Sequence, residues 1–241
     1  MEYKLHLHAD AKGVTVNPTQ FQSIVGGLQY LVHTRPDIAY VVGIVSRYME
    51  RPTELYMNTL KRICRYIKGT IHYGLMYTRG RVNYILSGFS NSDLAGSGDD
   101  RKITGGMAFY LDENLITWVS QKQRCVALSS YEAEFMAATT ATCQEIWLQR
   151  VLGSILNVKT GSVVIDNRSA VDLAKNPKFY GRSKHIDLRY HFIRDCVEKG
   201  LIVIKFMSTK EQRAYILTKA LVVTKFEHMR GLLSVKKLED V

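Results

Sequence analysis

Apolar residues recur at helical spacing in the first third of the chain and alternate with polar residues in the middle. Phe21, Ile24, Val25, Leu28 and Leu31 fall on one stripe, so a helix is expected there with Thr19 as its cap. Arg35-Pro36 interrupts it, because the residue before a proline is pushed out of helical dihedrals. A second apolar segment runs from Asp37 to Met49 and is stopped by Arg51-Pro52. Thr53 opens a third helix. Met57, Leu60, Cys64 and Ile67 form its apolar stripe, Lys61, Arg62, Arg65 and Lys68 lie away from it, and Gly69 closes it.

From about residue 81 the period changes. Tyr84 to Asn91, Gly106 to Leu111 and Leu115 to Ser120 read as strands, with Asp112-Glu113-Asn114 as a hairpin turn. Ser129-Ser130 starts a long helix that Gly153 ends, with Ala133, Met136, Ala137, Thr140, Trp147, Leu148 and Val151 along one face. Val163 to Ile165 is wholly apolar, as a buried parallel strand would be. A short helix from Ser169 to Lys175, a helix in the second half of Lys178 to Arg194, a strand from Leu201 to Phe206, and helices over Glu211 to Leu221 and Phe226 to Leu233 complete the order. The pattern predicts an α/β class, a mixed sheet flanked by helices. Three units are expected: a polar lead-in (1–18), a helical segment (19–80) and the α/β domain (81–241).

Charge sharpens this picture. The 241 residues carry 33 Lys+Arg against 22 Asp+Glu, a formal net charge of +11, which favours a polyanionic partner. Cys64, Cys125, Cys143 and Cys196 are far apart, with no Cys-x-x-Cys pair, so buried free thiols are expected rather than a zinc site. Neither a signal pattern at the N-terminus nor a membrane-length apolar run is visible, so an intracellular location, cytoplasm or nucleus, is expected. Oligomeric state is left open.

Four strings carry a resemblance. They are Ser90-Asn91-Ser92-Asp93-Leu94-Ala95-Gly96, Ser129-Ser130-Tyr131-Glu132-Ala133-Glu134-Phe135, Asp166-Asn167-Arg168-Ser169-Ala170 and the segment Ala214 to Leu221. They resemble the ribonuclease H domain of copia-type retrotransposon Pol polyproteins. Gln22 to Leu31, Thr34-Arg35-Pro36-Asp37-Ile38-Ala39-Tyr40 and Leu60 to Thr70 resemble the segment joining reverse transcriptase to that domain. The resemblance spans Thr19 to Leu233. It implies a ribonuclease H-like fold, a Mg²⁺ or Mn²⁺ cofactor and an RNA/DNA hybrid as partner, with no membrane. No Tyr-x-Asp-Asp string of a polymerase is present.

Hydrolysis of a phosphodiester by two metal ions needs carboxylates that converge from separate elements. By resemblance, the family's four acidic positions are Asn91, Glu132, Asp166 and Tyr215 in this chain. Glu132 and Asp166 retain the carboxylate as catalytic and metal-binding residues. Asn91 and Tyr215 are substitutions, one a neutral amide and the other a phenol with an ordinary pKa near 10. Asp93, two residues beyond Asn91, shares its face on an extended strand and is a possible substitute ligand. Taken alone, Ser129-x-x-Glu132 is also a helix capping box, and Asp166-Asn167 a strand-end turn.

Lys184, His185, Arg189, His191 and Arg194 lie in a stretch that matches the family string almost throughout, and they can reach phosphates. Lys61, Arg62 and Arg65 are the corresponding candidates on the third helix. Tyr190 and Phe192 read as packing residues. Three functions compete at this stage: a decayed transposon fragment, a retained nucleic-acid-binding module without cleavage, and a weak nuclease using Asn91, Asp93, Glu132 and Asp166.

Overall fold

The computed structural model describes residues 13–79, 84–93, 102–123, 126–127, 129–156, 159–165 and 187–238. The expected helix over Ser169 to Lys175 lies outside them. The chain begins with α1 (Pro18–Leu31), a 3-10 turn (Pro36–Ile38), α2 (Ala39–Val45), a second 3-10 turn (Ser46–Tyr48) and α3 (Glu54–Gly69). β1 (Tyr73–Leu75) leads to β2 (Ile85–Asp93), β3 (Thr104–Leu111) and β4 (Asn114–Lys122). Then come α4 (Ser130–Gly153), β5 (Lys159–Ile165), α5 (Asp187–Glu198), β6 (Ile202–Phe206), a 3-10 turn (Arg213–Leu217), α6 (Val223–Leu232) and β7 (Val235–Lys237).

The main sheet has the order β4-β3-β2-β5-β6. The β2–β3 and β3–β4 pairs are antiparallel, while β2–β5 and β5–β6 are parallel. This is the expected ribonuclease H-like α/β architecture. Side-chain alternation divides the core between its faces. Leu86, Phe109 and Val163 pack under α4 and α5 with Phe135, Ala138, Tyr190 and Ile193. Phe89, Ala108, Tyr110 and Val164 face the other way, toward Ala214, Ile216, Leu217 and Met229. Each fully buried Leu, Ile, Val, Phe or Met among them contributes about 1.5–3 kcal/mol. Helices α1 to α3 close around their own core, which includes Phe21, Val25, Val42, Tyr56 and Leu60.

The helical unit is tied to the sheet. The Trp118 indole N–H donates to the Val32 carbonyl at 3.1 Å, and Arg47 Nη2 donates to Thr104 Oγ1 at 3.1 Å. The Thr-Arg-Pro-Asp string lies at the joint. Arg35 grips Asp37 with two bonds, at 2.9 Å and 2.7 Å, and donates to the Thr70 carbonyl at 3.1 Å. Tyr66 donates to Asp37 Oδ2 at 2.6 Å, and Arg230 of α6 donates to the Tyr66 hydroxyl at 3.2 Å. Burial, with Asp37 adding to it, pushes Tyr66 up to about 12. β7 pairs antiparallel with β1, so Val235 to Lys237 join a strand that precedes the main sheet.

Several local expectations are corrected. The cap of α1 is Asn17, whose Oδ1 accepts from Gln20 N at 3.2 Å; Pro18 then takes the first helical position, where its fixed φ and missing N–H cost nothing. Cys64 is exposed and Ile63 takes the inward place on α3; Cys143 is exposed too, and of the described thiols only Cys196 is buried. On α4, Trp147 and Val151 are exposed, because the inward stripe runs through Ala138, Ala141, Glu145 and Leu148 instead. The predicted helix from Glu211 to Leu221 is only the short 3-10 turn, which Gln212 starts by accepting from Ala214 N at 3.3 Å. Among the described residues, no helix is long and apolar enough to cross a membrane.

Candidate functional site

Two structural devices bring the 3-10 turn onto the centre of the sheet. The Gln212 amide, fully buried, donates to the Ser90 carbonyl at 3.1 Å and the Val164 carbonyl at 3.4 Å, bridging β2 and β5. Ser120 donates to the Leu217 carbonyl at 2.6 Å. Gly106, the partner of Asn91 in register, leaves room for this approach. A Cβ there would lie 2.8 Å from both Leu217 Cβ and Thr218 Cγ2. The result is a buried pair: Thr218 Oγ1 donates to Asn91 Oδ1 at 2.8 Å. Asn91 is therefore an interior amide held by the turn that also carries Tyr215.

The half-buried Tyr215 ring lies between two cations. Lys219 Nζ is 4.5 Å from its centroid and Lys225 Nζ 3.9 Å. Lys219 also faces Asp93, Nζ to Oδ1 at 3.6 Å. The expected alternation along β2 is thus observed, but Asp93 meets an ammonium. Tyr40 of α2 borders this group: burial, with the Asp93 charge adding to it, pushes its hydroxyl up to about 12.

The α4 side is built differently. Ser129 Oγ accepts from the Glu132 N–H at 3.1 Å, one half of a capping box. Glu132 and Glu134 are about 200° apart around the helix, so they point in opposite directions. It is Glu134 whose Oε1 accepts from the Ser92 backbone N–H at 3.0 Å, one residue beyond Asn91. Both glutamates are buried. Sequence reasoning passed over Glu134; the capping bond uses only the Glu132 backbone N–H, and it is the packing of α4 on β2 that separates the two side chains.

Asp166, Lys184 and His185 lie outside the described residues. On α5, His191 is exposed, Arg189 is half-buried and Arg194 is bound to Glu198 at 2.6 Å. Tyr190 is core and Phe192 packs against it, as expected. Lys61, Arg62 and Arg65 are exposed on α3. Among the described residues, no group of three His, Cys, Asp or Glu side chains is arranged to hold a metal ion. The donor set at the end of β2 is an amide, a phenol, the Glu134 carboxylate bonded to the Ser92 N–H, and the Asp93 carboxylate facing an ammonium. These described residues do not fit a pair of divalent cations, which need several anionic oxygens.

No protein-family model matches the chain. It is 42% identical over 217 residues (89% of this chain) to a retrovirus-related Pol polyprotein from transposon TNT 1-94 of Nicotiana tabacum. It is 38% identical over 237 residues (98% of this chain) to that from transposon RE1 of Arabidopsis thaliana. The chain spans 16% of the length of each of these relatives. A shorter relative, the secreted RxLR effector protein 161 of Plasmopara viticola, is 42% identical over 53% of this chain and 90% of its own length. Among solved structures, LC11-RNase H1 in complex with an RNA/DNA hybrid overlays on 55% of this chain and 93% of its own. That overlay has a TM-score of 0.43 at 14% identity, so the fold rests on the strand order described above. The homologues of this chain over nearly its whole length are thus retrovirus-related Pol polyproteins of copia-type transposons.

Proposed function

We propose that this chain is a Pol-derived module that binds nucleic acid, an RNA/DNA hybrid foremost, and has lost most or all of its ribonuclease H cleavage. One observation carries the reading: Asn91 and Tyr215, at two family carboxylate positions, are engaged with Thr218 and with two lysines. A neutral amide adds no charge to a metal site, and each missing anion weakens cation binding. We assign Glu134, rather than Glu132, as the carboxylate beside Asn91, because its hydrogen bond to Ser92 holds it against β2. Asp166 is the second retained candidate, from the family string. The net charge of +11 and the exposed Lys61, Arg62 and Arg65 support binding to a polyanion.

Cleavage of an RNA/DNA hybrid with Mg²⁺ or Mn²⁺ tests this, beside the Asn91→Asp, Tyr215→Asp double variant. The natural chain is expected to leave the hybrid intact and the double variant to cut it. Robust cleavage by the natural chain sinks the proposal; Asp93→Ala then asks whether Asp93 supplies the missing charge. In the double variant, Glu134→Gln is expected to remove activity and Glu132→Gln to spare it.

A further inference from the structure

The cluster around Tyr215 has a charge pattern opposite to that of a metal site. Two half-buried ammoniums, Lys219 and Lys225, lie over one aromatic ring. Ring faces attract cations, so Tyr215 holds both in place without neutralising either. Among the described residues, the carboxylate in an ion pair with one of them is Asp93, at the loose distance of 3.6 Å. Lys219 also lines a cavity of about 280 Å³ between α3 and α6, whose walls include Arg62, Arg230, Tyr40 and Phe226. Asp37 borders the same cavity but is held by Arg35. Glu227 is the other acid there, against the cations Arg62, Lys219 and Arg230. The cavity is therefore net positive and partly aromatic, which matches a phosphate with an attached base or sugar.

We propose that Lys219 and Lys225, set over Tyr215, contact a backbone phosphate of bound nucleic acid directly, with no divalent cation between them. The strand then leads past Lys219 into the cavity toward Arg62. This deepens the nucleic-acid-binding reading and rests on it. The fixed ammoniums supply the positive charge that carboxylate-held ions would otherwise bring, so binding does not depend on a metal.

Anisotropy of a labelled RNA/DNA hybrid, titrated with the full chain across salt concentrations, tests the idea. Binding in EDTA is expected to equal binding in Mg²⁺. Lys219→Gln and Lys225→Gln are each expected to flatten the dependence of log K on log salt by about 1, the effect of one phosphate contact. Lys219→Arg keeps the charge and is expected to keep the slope. Lys205→Gln, at an exposed position on β6, is the control with an unchanged slope, and circular dichroism verifies that every variant is folded. Binding that requires Mg²⁺ overturns the proposal. So does an unchanged slope in both glutamine variants, which moves the contact elsewhere and leaves the hybrid-binding reading standing. Absence of salt-dependent binding by the natural chain overturns both.

Discussion

Two polar clusters flank the 3-10 turn, and they have opposite balance. At the joint, Arg35, Asp37, Tyr66 and Arg230 form a closed set in which each charge meets a partner within 3.2 Å. At the end of β2, Asn91 and Tyr215 are neutral, and two lysines lie over the Tyr215 ring. A buried charge deprived of its partner is costly, so the first cluster can change only as a whole. In the second, the buried Asn91 is neutral and bonded to Thr218 while Tyr215 and its lysines are half-buried, so no interior charge is left without a partner. Neutral side chains at Asn91 and Tyr215 are thus compatible with a well-packed chain, and the joint is the part that tolerates least change.

The sharpest way to break that contrast is Asp37→Ala, which strands Arg35 in the interior. A loss of about 3–5 kcal/mol is expected in denaturant unfolding; a loss below about 1 kcal/mol would place the joint with surface ion pairs. Next is Glu145, a third polar site that has no counterpart in either cluster. It is fully buried on α4 against Gly88, and neither carboxyl oxygen has a hydrogen-bond partner. Burial pushes its carboxyl up to about 8; Gln149 opposes the shift, but its amide is committed to the Leu201 carbonyl. The unfolded chain releases this proton near 4.5 and the folded one near 8, so stability falls with rising pH between those values and levels off above. Glu145→Gln is expected to gain on the natural chain across that window, by a few kcal/mol on the order of 1.4 per pH unit. A parallel pair of stability–pH curves would refute it. The smallest effect is expected from Thr218→Val, which leaves the Asn91 amide without its hydroxyl and costs about 1–2 kcal/mol by thermal unfolding.

Much of this molecule was legible in its residues. The bounds of α3 and α4 fell where Thr53, Gly69, Ser129 and Gly153 placed them, although of the two N-terminal residues Ser129 makes a capping bond and Thr53, in the extended N-cap conformation, does not. β2, β3 and β4 followed from alternation and from the turn at Asp112, whose φ of 54° suits a tight hairpin. The 3-10 turn did not, because its apolar residues have helical spacing while its geometry is set by Gln212, whose bonds reach 122 residues back to Ser90. Glu134 was missed for a similar reason: a helix start shows two glutamates, and only the packing of α4 on β2 says which one turns inward. Nor does the sequence signal that Lys225 meets Tyr215, as the contact depends on how α6 returns over the turn.

The pairing of β1 with β7 has a consequence for anyone dividing this chain. Tyr73 to Leu75 come before the main sheet, and Val235 to Lys237 come after its last strand. The ladder closes the chain into a ring, with Met76 N–H on the Ser234 carbonyl at 2.8 Å and Leu238 N–H on the His72 carbonyl at 2.9 Å. A cut between residues 79 and 84, where the pattern of the sequence changes, would leave the last strand on one piece and its ladder partner on the other. An excised sheet fragment would leave β7 unpaired and invite strand exchange between copies. The durable unit for expression or recombination therefore includes the helices together with the sheet.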